Sequence, residues 1–363
     1  VSKRHATKVY PPLEGLFTAS EEVGLEGALA VQPGWLQGDI LLNLDYEDEG
    51  ELCIGCAGAV NGNYTLPLPY EALNGQGYQL RVRGLKGGHS GVEIHLQRGN
   101  AIKILARALQ TLHDKKDYAL KLASITAGDL RNAIPREAVA VVTVPADRVA
   151  DVEKLISEHQ ALYRSEYKGI EGEISFTAER IADVPASLVP EEIQDDLINA
   201  VEGCQNGPIS MLHDFPGTVE SSSNLAKVKT EAGGRIDIKI LVRSSSESRR
   251  EALYSSLESI FSLAGAKVEY SNPYGGWQPN IDSPILRTME STYESLFGRK
   301  PEVTVMHAGL ECGIIQEAYP DMDMISFGPD IKHPHSPDEA VGIASVEKTW
   351  RLLKSTLEAI PEK

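Results

Sequence analysis

The sequence holds only four cysteines in 363 residues, too few for a disulfide scaffold. It has no apolar run near the ~18 residues that read as a membrane span, and no stretch patterned as a signal peptide. Basic residues are in deficit, with 35 Lys and Arg against 52 Asp and Glu and a net charge of -17. That balance repels a phosphate backbone, so nucleic acid is excluded as a partner. Internal repeats and low-complexity stretches are also lacking. These absences predict a soluble protein of a reducing compartment, the cytoplasm, with no membrane or nucleic-acid partner.

What is there is enough for two cores, since 42% of a chain this long is hydrophobic. Leu13 to Ala19, LEGLFTA, has the composition of a strand buried on both faces, delivering Glu21 and Glu22 at its C-terminal end. A second such run, Asp39 to Asp45, ends in an acidic cluster, and in open α/β sheets ligands bind at the C-terminal strand edge. After Asn61 the pattern changes to alternating strands such as YQLRVRGL, with helices from Asn100 to His113, Ala146 to Tyr163, Glu191 to Glu202 and Ser246 to Ala264. Strands AVAVVTVP, EISFTA and GRIDIKILVRS fall between them, a β-α-β order run twice that predicts a ferredoxin-like α+β unit. SNPYGGWQP reads as the crossing back to the first domain. Beyond it the pattern predicts a helix from Ser283 to Phe297, strand VTVMH, a helix from Leu310, strand MDMISFGP, and a closing helix from Ile343 to Ile360. The expectation is a catalytic α/β domain over 1–61 and 271–363, a mixed sheet flanked by helices, with a lid domain inserted at 62–270. Val1 is not a start methionine, and VSKRHATKVYPP reads as the tail of one element leading into another, which suggests residues upstream.

Adjacent carboxylates at a strand end suit paired work, one holding a cation and the other taking a proton from water. Glu-Glu is also common on solvated surfaces, so Glu21 and Glu22 alone carry little. Asp45 is the acidic residue nearest its strand, and His333 and His335 stand in a loop from which an imidazole can reach a metal or simply face solvent. His89 lies among glycines in GLKGGHSG, placed to stabilise an oxyanion or to cap a turn. Arg131, Asn132 and Arg136 come from RNAIPRE and Arg243 from ILVRSS; an arginine fork suits a free carboxylate, though any of these can form surface ion pairs. Cys53 and Cys56 form a CxxC without a second pair and read as buried strand residues.

Taken in order, FTASEEVG, LLNLDYEDEGEL, GLKGGHSGVEIH, LRNAIPREA, MHAGLECG and GPDIKHPHSPDEAV resemble the aminoacyl-histidine dipeptidases. These form a branch of the co-catalytic zinc exopeptidases, with carboxypeptidase G, aminoacylase and carnosinase. The resemblance implies hydrolysis of dipeptides such as β-alanyl-histidine, with a broader dipeptidase or an aminoacylase as the alternative. It implies Glu21 as general base and Glu22, Asp45 and His335 as ligands of a zinc pair, manganese or cobalt being substitutes. His89 would stabilise the oxyanion, and Asn132, Arg243, His307, Gly309 and Glu311 would line the substrate site, with Arg243 on the peptide carboxylate. It also implies a homodimer formed through the lid. Family members carry HxD and DNG motifs upstream of the paired glutamates, and this sequence contains neither. On that ground, the alternative from another class is a catalytically inert dimerising module.

Overall fold

The structure is a computed structural model and describes residues 10–21, 24–69, 71–72, 75–114, 120–182, 187–334 and 336–360. The chain divides into two compact units, the first of Val1–Gly58, Ser245–Glu247 and Tyr274–Lys363, the second of Ala59–Ser244 and Ser248–Pro273.

The second unit is built on a nine-stranded sheet. Its nucleus is strand Gln76–Arg83, helix Ala101–Asp114, strands Lys121–Ala127 and Ala138–Val144, helix Val149–Glu166 and strand Ser175–Arg180. In space these strands run 121–127, 138–144, 76–83, 175–180, so the first lies between the third and the fourth. That is the antiparallel ferredoxin-like arrangement the β-α-β repeat predicts. Strands Val219–Glu231, Arg235–Ser244, Gly58–Pro67 and Lys267–Tyr274 extend the sheet beyond 121–127. Period-2 alternation orients the sheet: Leu80 and Val82 are buried while Gln79 and Arg81 are half-buried. The helices supply the cover. In Ala101–Asp114 the residues Ile102, Leu105, Leu109 and Leu112 recur at helical spacing and are buried. Asn100 caps this helix, its Oδ1 accepting the Ile102 N–H at 2.9 Å while its Nδ2 donates to the Leu225 carbonyl on the sheet. Helix Glu247–Leu263 adds Leu257 and Phe261, the latter 4.4 Å between ring centroids from Tyr64.

The first unit holds a four-stranded sheet in the order 40–43, 323–326, 51–56, 302–306. Ile40–Asn43 and Asp323–Ser326 are parallel, Glu51–Cys56 is antiparallel to Asp323–Ser326, and Glu302–Met306 is parallel to Glu51–Cys56. Cys53 and Cys56 lie buried in their strand, as the sequence predicts. Helix Pro284–Phe297 starts where proline is tolerated, with the Ser283 side chain accepting the Leu286 N–H, and stops at Gly298 in the left-handed region. Helices Glu311–Ala318 and Ile343–Ala359 complete the cover.

One expectation fails here. Leu13 to Ala19 forms no strand: Leu13 is 62% and Phe17 95% exposed, and among the described residues no strand pairs with the segment. An apolar run becomes a buried strand only where a neighbour offers a hydrogen-bonding edge, and none of the described residues does so here. The segment is held by side chains instead, Glu14 accepting the N–H groups of Gln37 and Gly38. Among the described residues no helix is long and apolar enough to cross a membrane.

Candidate functional site

In the second unit the two loops singled out by sequence are paired. The His89 backbone bridges to Ala133, the Ser90 N–H donates to the Asn132 carbonyl and the Ile134 N–H to the Gly88 carbonyl, both at 2.8 Å. His89 Nδ1 accepts the N–H groups of Gly91 and Val92 at 3.1 Å, so the ring proton of the neutral imidazole sits on Nε2. Glu93 braces the loop. One of its oxygens accepts the His89 N–H at 2.7 Å and the other pairs with Arg98, whose guanidinium also donates to the Gly87 carbonyl. The His89 N–H and the Arg98 charge hold the Glu93 carboxyl below the usual carboxylate range. Gly88 stands at φ 138°, a backbone conformation that strains a residue with a Cβ, and such a Cβ would also push on the Arg98 and Glu93 side-chain ends.

Arg243 lies on the adjoining part of the same sheet, opposite Ser222 and 5% exposed. A guanidinium this buried is costly unless partnered, and its planar fork matches a carboxylate. Two residues along from Ser222, Asn224 turns its amide toward the Asn132 loop, donating to the carbonyls of Arg131 at 3.2 Å and Ala133 at 2.8 Å. The paired loops and Arg243 thus share one end of the sheet. Next to them the buried Glu220 accepts from Ser244 and Ser210 and pairs with Arg249. Burial alone would raise the Glu220 carboxyl, but these donors overcome it and hold the group below its ordinary value.

In the first unit Asp45 follows strand Ile40–Asn43 and is exposed. Asn43 shapes its turn, Oδ1 accepting both the Asp45 N–H at 3.2 Å and the Ser326 hydroxyl at 2.6 Å. The chain after Asp323–Ser326 runs beside this turn, with the Ile331 N–H on the Glu47 carbonyl and the Glu49 N–H on Asp330 Oδ1. A Cβ on Gly328 would sit 1.8 Å from the Tyr46 carbonyl oxygen, so only glycine permits the approach. The segment then forms a hairpin, Ile331–Lys332 with Ala340–Val341, whose loop contains the exposed His333.

Glu21 is half-buried, and its carbonyl accepts the N–H groups of Gly24 and Leu25 as the chain turns into the short helix Glu26–Leu29. Thr18, three residues earlier, donates to Glu311 Oε1 at 2.6 Å, at the start of helix Glu311–Ala318. His307 is 7% exposed, and a Cβ on Gly309 would lie 2.9 Å from the Tyr274 ring. The structure therefore brings Asp45 together with the hairpin loop, and the Glu21 turn together with Glu311. Strand 302–306, which leads to His307, runs opposite to strand 40–43, which leads to Asp45, so the two residues leave the sheet at opposite ends.

Glu22 and His335 lie outside the described residues. Among the described residues no group of three or more His, Cys, Asp or Glu side chains is arranged to hold a metal ion, so Asp45 alone does not make a metal centre. Burial pushes the Cys53 thiol up to about 12 and the Cys56 thiol up to about 11. Sequence reading missed Asn224, Glu93 and Glu220. The run VESSSNLA shows no apolar alternation, and its one signal is an asparagine that follows three serines.

Comparison with known proteins places these features. Residues 80–171, within the second unit, match the model of the peptidase dimerisation domain. The chain is 41% identical over 357 residues to the cytosol non-specific dipeptidase of Escherichia coli strain K12, covering 98% of this chain and 73% of that protein. It superposes on the crystal structure of aminoacylhistidine dipeptidase from Vibrio alginolyticus with a TM-score of 0.89 and 42% identity, covering 95% of this chain and 70% of that one. With identity of this order across nearly its whole length, the chain belongs to the dipeptidase family that these two proteins represent.

Proposed function

We propose that this chain is a dipeptidase acting on aminoacyl-histidine dipeptides such as β-alanyl-histidine. The observation that carries the reading is its likeness, at 42% identity, to a protein described as an aminoacylhistidine dipeptidase. A broader specificity is the second reading, favoured by the similar likeness to a non-specific dipeptidase. Residues 1–61 and 271–363 would form the metallopeptidase domain and 62–270 the lid. The match to a peptidase dimerisation domain supports a homodimer formed through that lid, and the cytosolic relative supports a cytoplasmic location.

The roles of the residues are those that the resemblance implies. Water adds to the peptide carbonyl as Glu21 takes its proton; the C–N bond then breaks and Glu21 returns the proton to the leaving amine. The Nε2–H of His89, left as the donor by the backbone bonds on Nδ1, points to an oxyanion-stabilising role. Arg243 would bind the dipeptide carboxylate bidentately, with Asn132, His307, Gly309 and Glu311 along the substrate. Glu22, Asp45 and His335 are the residues that would hold zinc, which when bound makes water a stronger acid. A panel of dipeptides tests specificity: preference for aminoacyl-histidine substrates supports the first reading, equal turnover of all dipeptides the second, and no turnover of any refutes both.

A further inference from the structure

We propose that Asn224 is a positioning residue that fixes the His89 and Asn132 loops as one unit; this rests on the assignment of those two residues to the site. The amide orientation is set by its neighbours. Two carbonyl oxygens, of Arg131 and Ala133, face one end of the Asn224 side chain, so that end is the NH2 group and both its hydrogens are used on the residues flanking Asn132. From Ala133 the connection continues by backbone pairing to His89, and from Asn132 to Ser90. One side chain on a rigid central strand therefore reaches, through at most two further bonds, the backbone of both candidate residues.

The arrangement is costly for folding alone. Asn224 is 1% exposed, and its Oδ1 has no hydrogen-bond partner among the described residues. The Ser90 hydroxyl, on the seam between the loops, is buried and equally without one. An apolar residue of the same size would remove the orphaned acceptor but would leave the Arg131 and Ala133 carbonyls without the Asn224 amide, so what the asparagine contributes here is its hold on the residues flanking Asn132. Departures from local optimality of this kind are expected where a site must be held in a set geometry. The opposite end of the strand follows the ordinary rule: Val228 is fully buried and apolar.

The test compares Asn224→Leu with Val228→Ala in the full chain, with Asn224→Ser as a second variant should leucine fail to fold. Hydrogen exchange of the Ser90 and Ile134 amides reports the loop pairing directly. We expect both to exchange at least about tenfold faster in the Asn224 variants, with the ladder between 219–231 and 235–244 still protected. In dipeptide hydrolysis kcat should fall about tenfold or more while KM changes less than about threefold, because an oxyanion donor acts mainly in the transition state. Val228→Ala should lower the melting temperature at least as much and leave exchange of both amides and the kcat to KM pattern unchanged. Unaltered Ser90 and Ile134 exchange, or the same kinetic loss in Val228→Ala, overturns the proposal. If the unsubstituted protein cleaves no dipeptide, the dipeptidase reading fails, and the exchange arm still decides whether Asn224 holds the loops.

Discussion

The two units differ in how they secure the residues assigned to them. In the second, Leu80, Val142, Leu225, Leu257 and Phe261 form one continuous core with no measurable exposure, and the His89 and Asn132 loops rest on it through a closed set of hydrogen bonds. The first unit has a smaller core around Cys53, Cys56, Cys312 and Met324, and leaves Phe17, Ile343 and Trp350 largely exposed. Of its assigned residues, Glu21 and Asp45 stand on turns and Glu311 begins a helix. The difference teaches that the candidate residues of the two units rest on separate local supports, so the hydrogen bonds that hold the His89 and Asn132 loops can be perturbed without touching the turn that carries Asp45.

The largest effect should come from the second core. Phe261→Ala removes a ring packed on Tyr64 and should cost about 3–5 kcal/mol in urea unfolding. Next, His89→Ala should lower kcat about 10²–10³-fold, as for loss of one oxyanion donor, with little change in unfolding. In the first unit, Gly328→Ala forces the Asp45 turn away from its neighbour; overpacking should cost about 1–3 kcal/mol and weaken zinc uptake measured by titration. A still smaller effect appears at acid pH. Burial raises Glu49, but hydrogen bonds from Lys348 and Tyr293 and the charges of Lys348 and Arg299 overcome it, as the donors to Glu220 do in the second unit. Both carboxyls are therefore depressed, so their stabilisation is present above the usual ~4.3 and is lost as pH falls through their lower folded values. Glu49→Gln and Glu220→Gln should flatten that acid limb in melting curves, each for its own unit. Smallest of all, Phe17→Ala should change stability by less than about 0.5 kcal/mol; a loss as large as that of Phe261→Ala would erase the contrast between the units.

Much of the fold was legible because its signals are local. Helical spacing of Ile102, Leu105 and Leu109, and the Ser283 and Pro284 start, place helix ends within a residue or two. The ferredoxin-like order follows from alternation switching to helical period and back. Strand Val219–Glu231 was not legible, because its buried serines and asparagine form no alternating pattern of their own and Asn224 meets its partners far along the chain. LEGLFTA misled for the reverse reason: it has a strand's composition and lacks a strand's neighbour. Of the proposed site, the motifs supply candidate residues, but the pairing of His89 with Ala133 spans a separation no local signal carries. Nor did the motifs show that Asp45 and His307 leave their sheet at opposite ends, which depends on strand direction.

The most direct test is hydrolysis of β-alanyl-histidine by the unsubstituted protein and by Glu21→Gln, with bound zinc measured on the same samples. The account predicts turnover in the first, a loss of about 10²–10⁴-fold in the second, and equal zinc in both. Turnover by Glu21→Gln within a few-fold of the unsubstituted protein would contradict it.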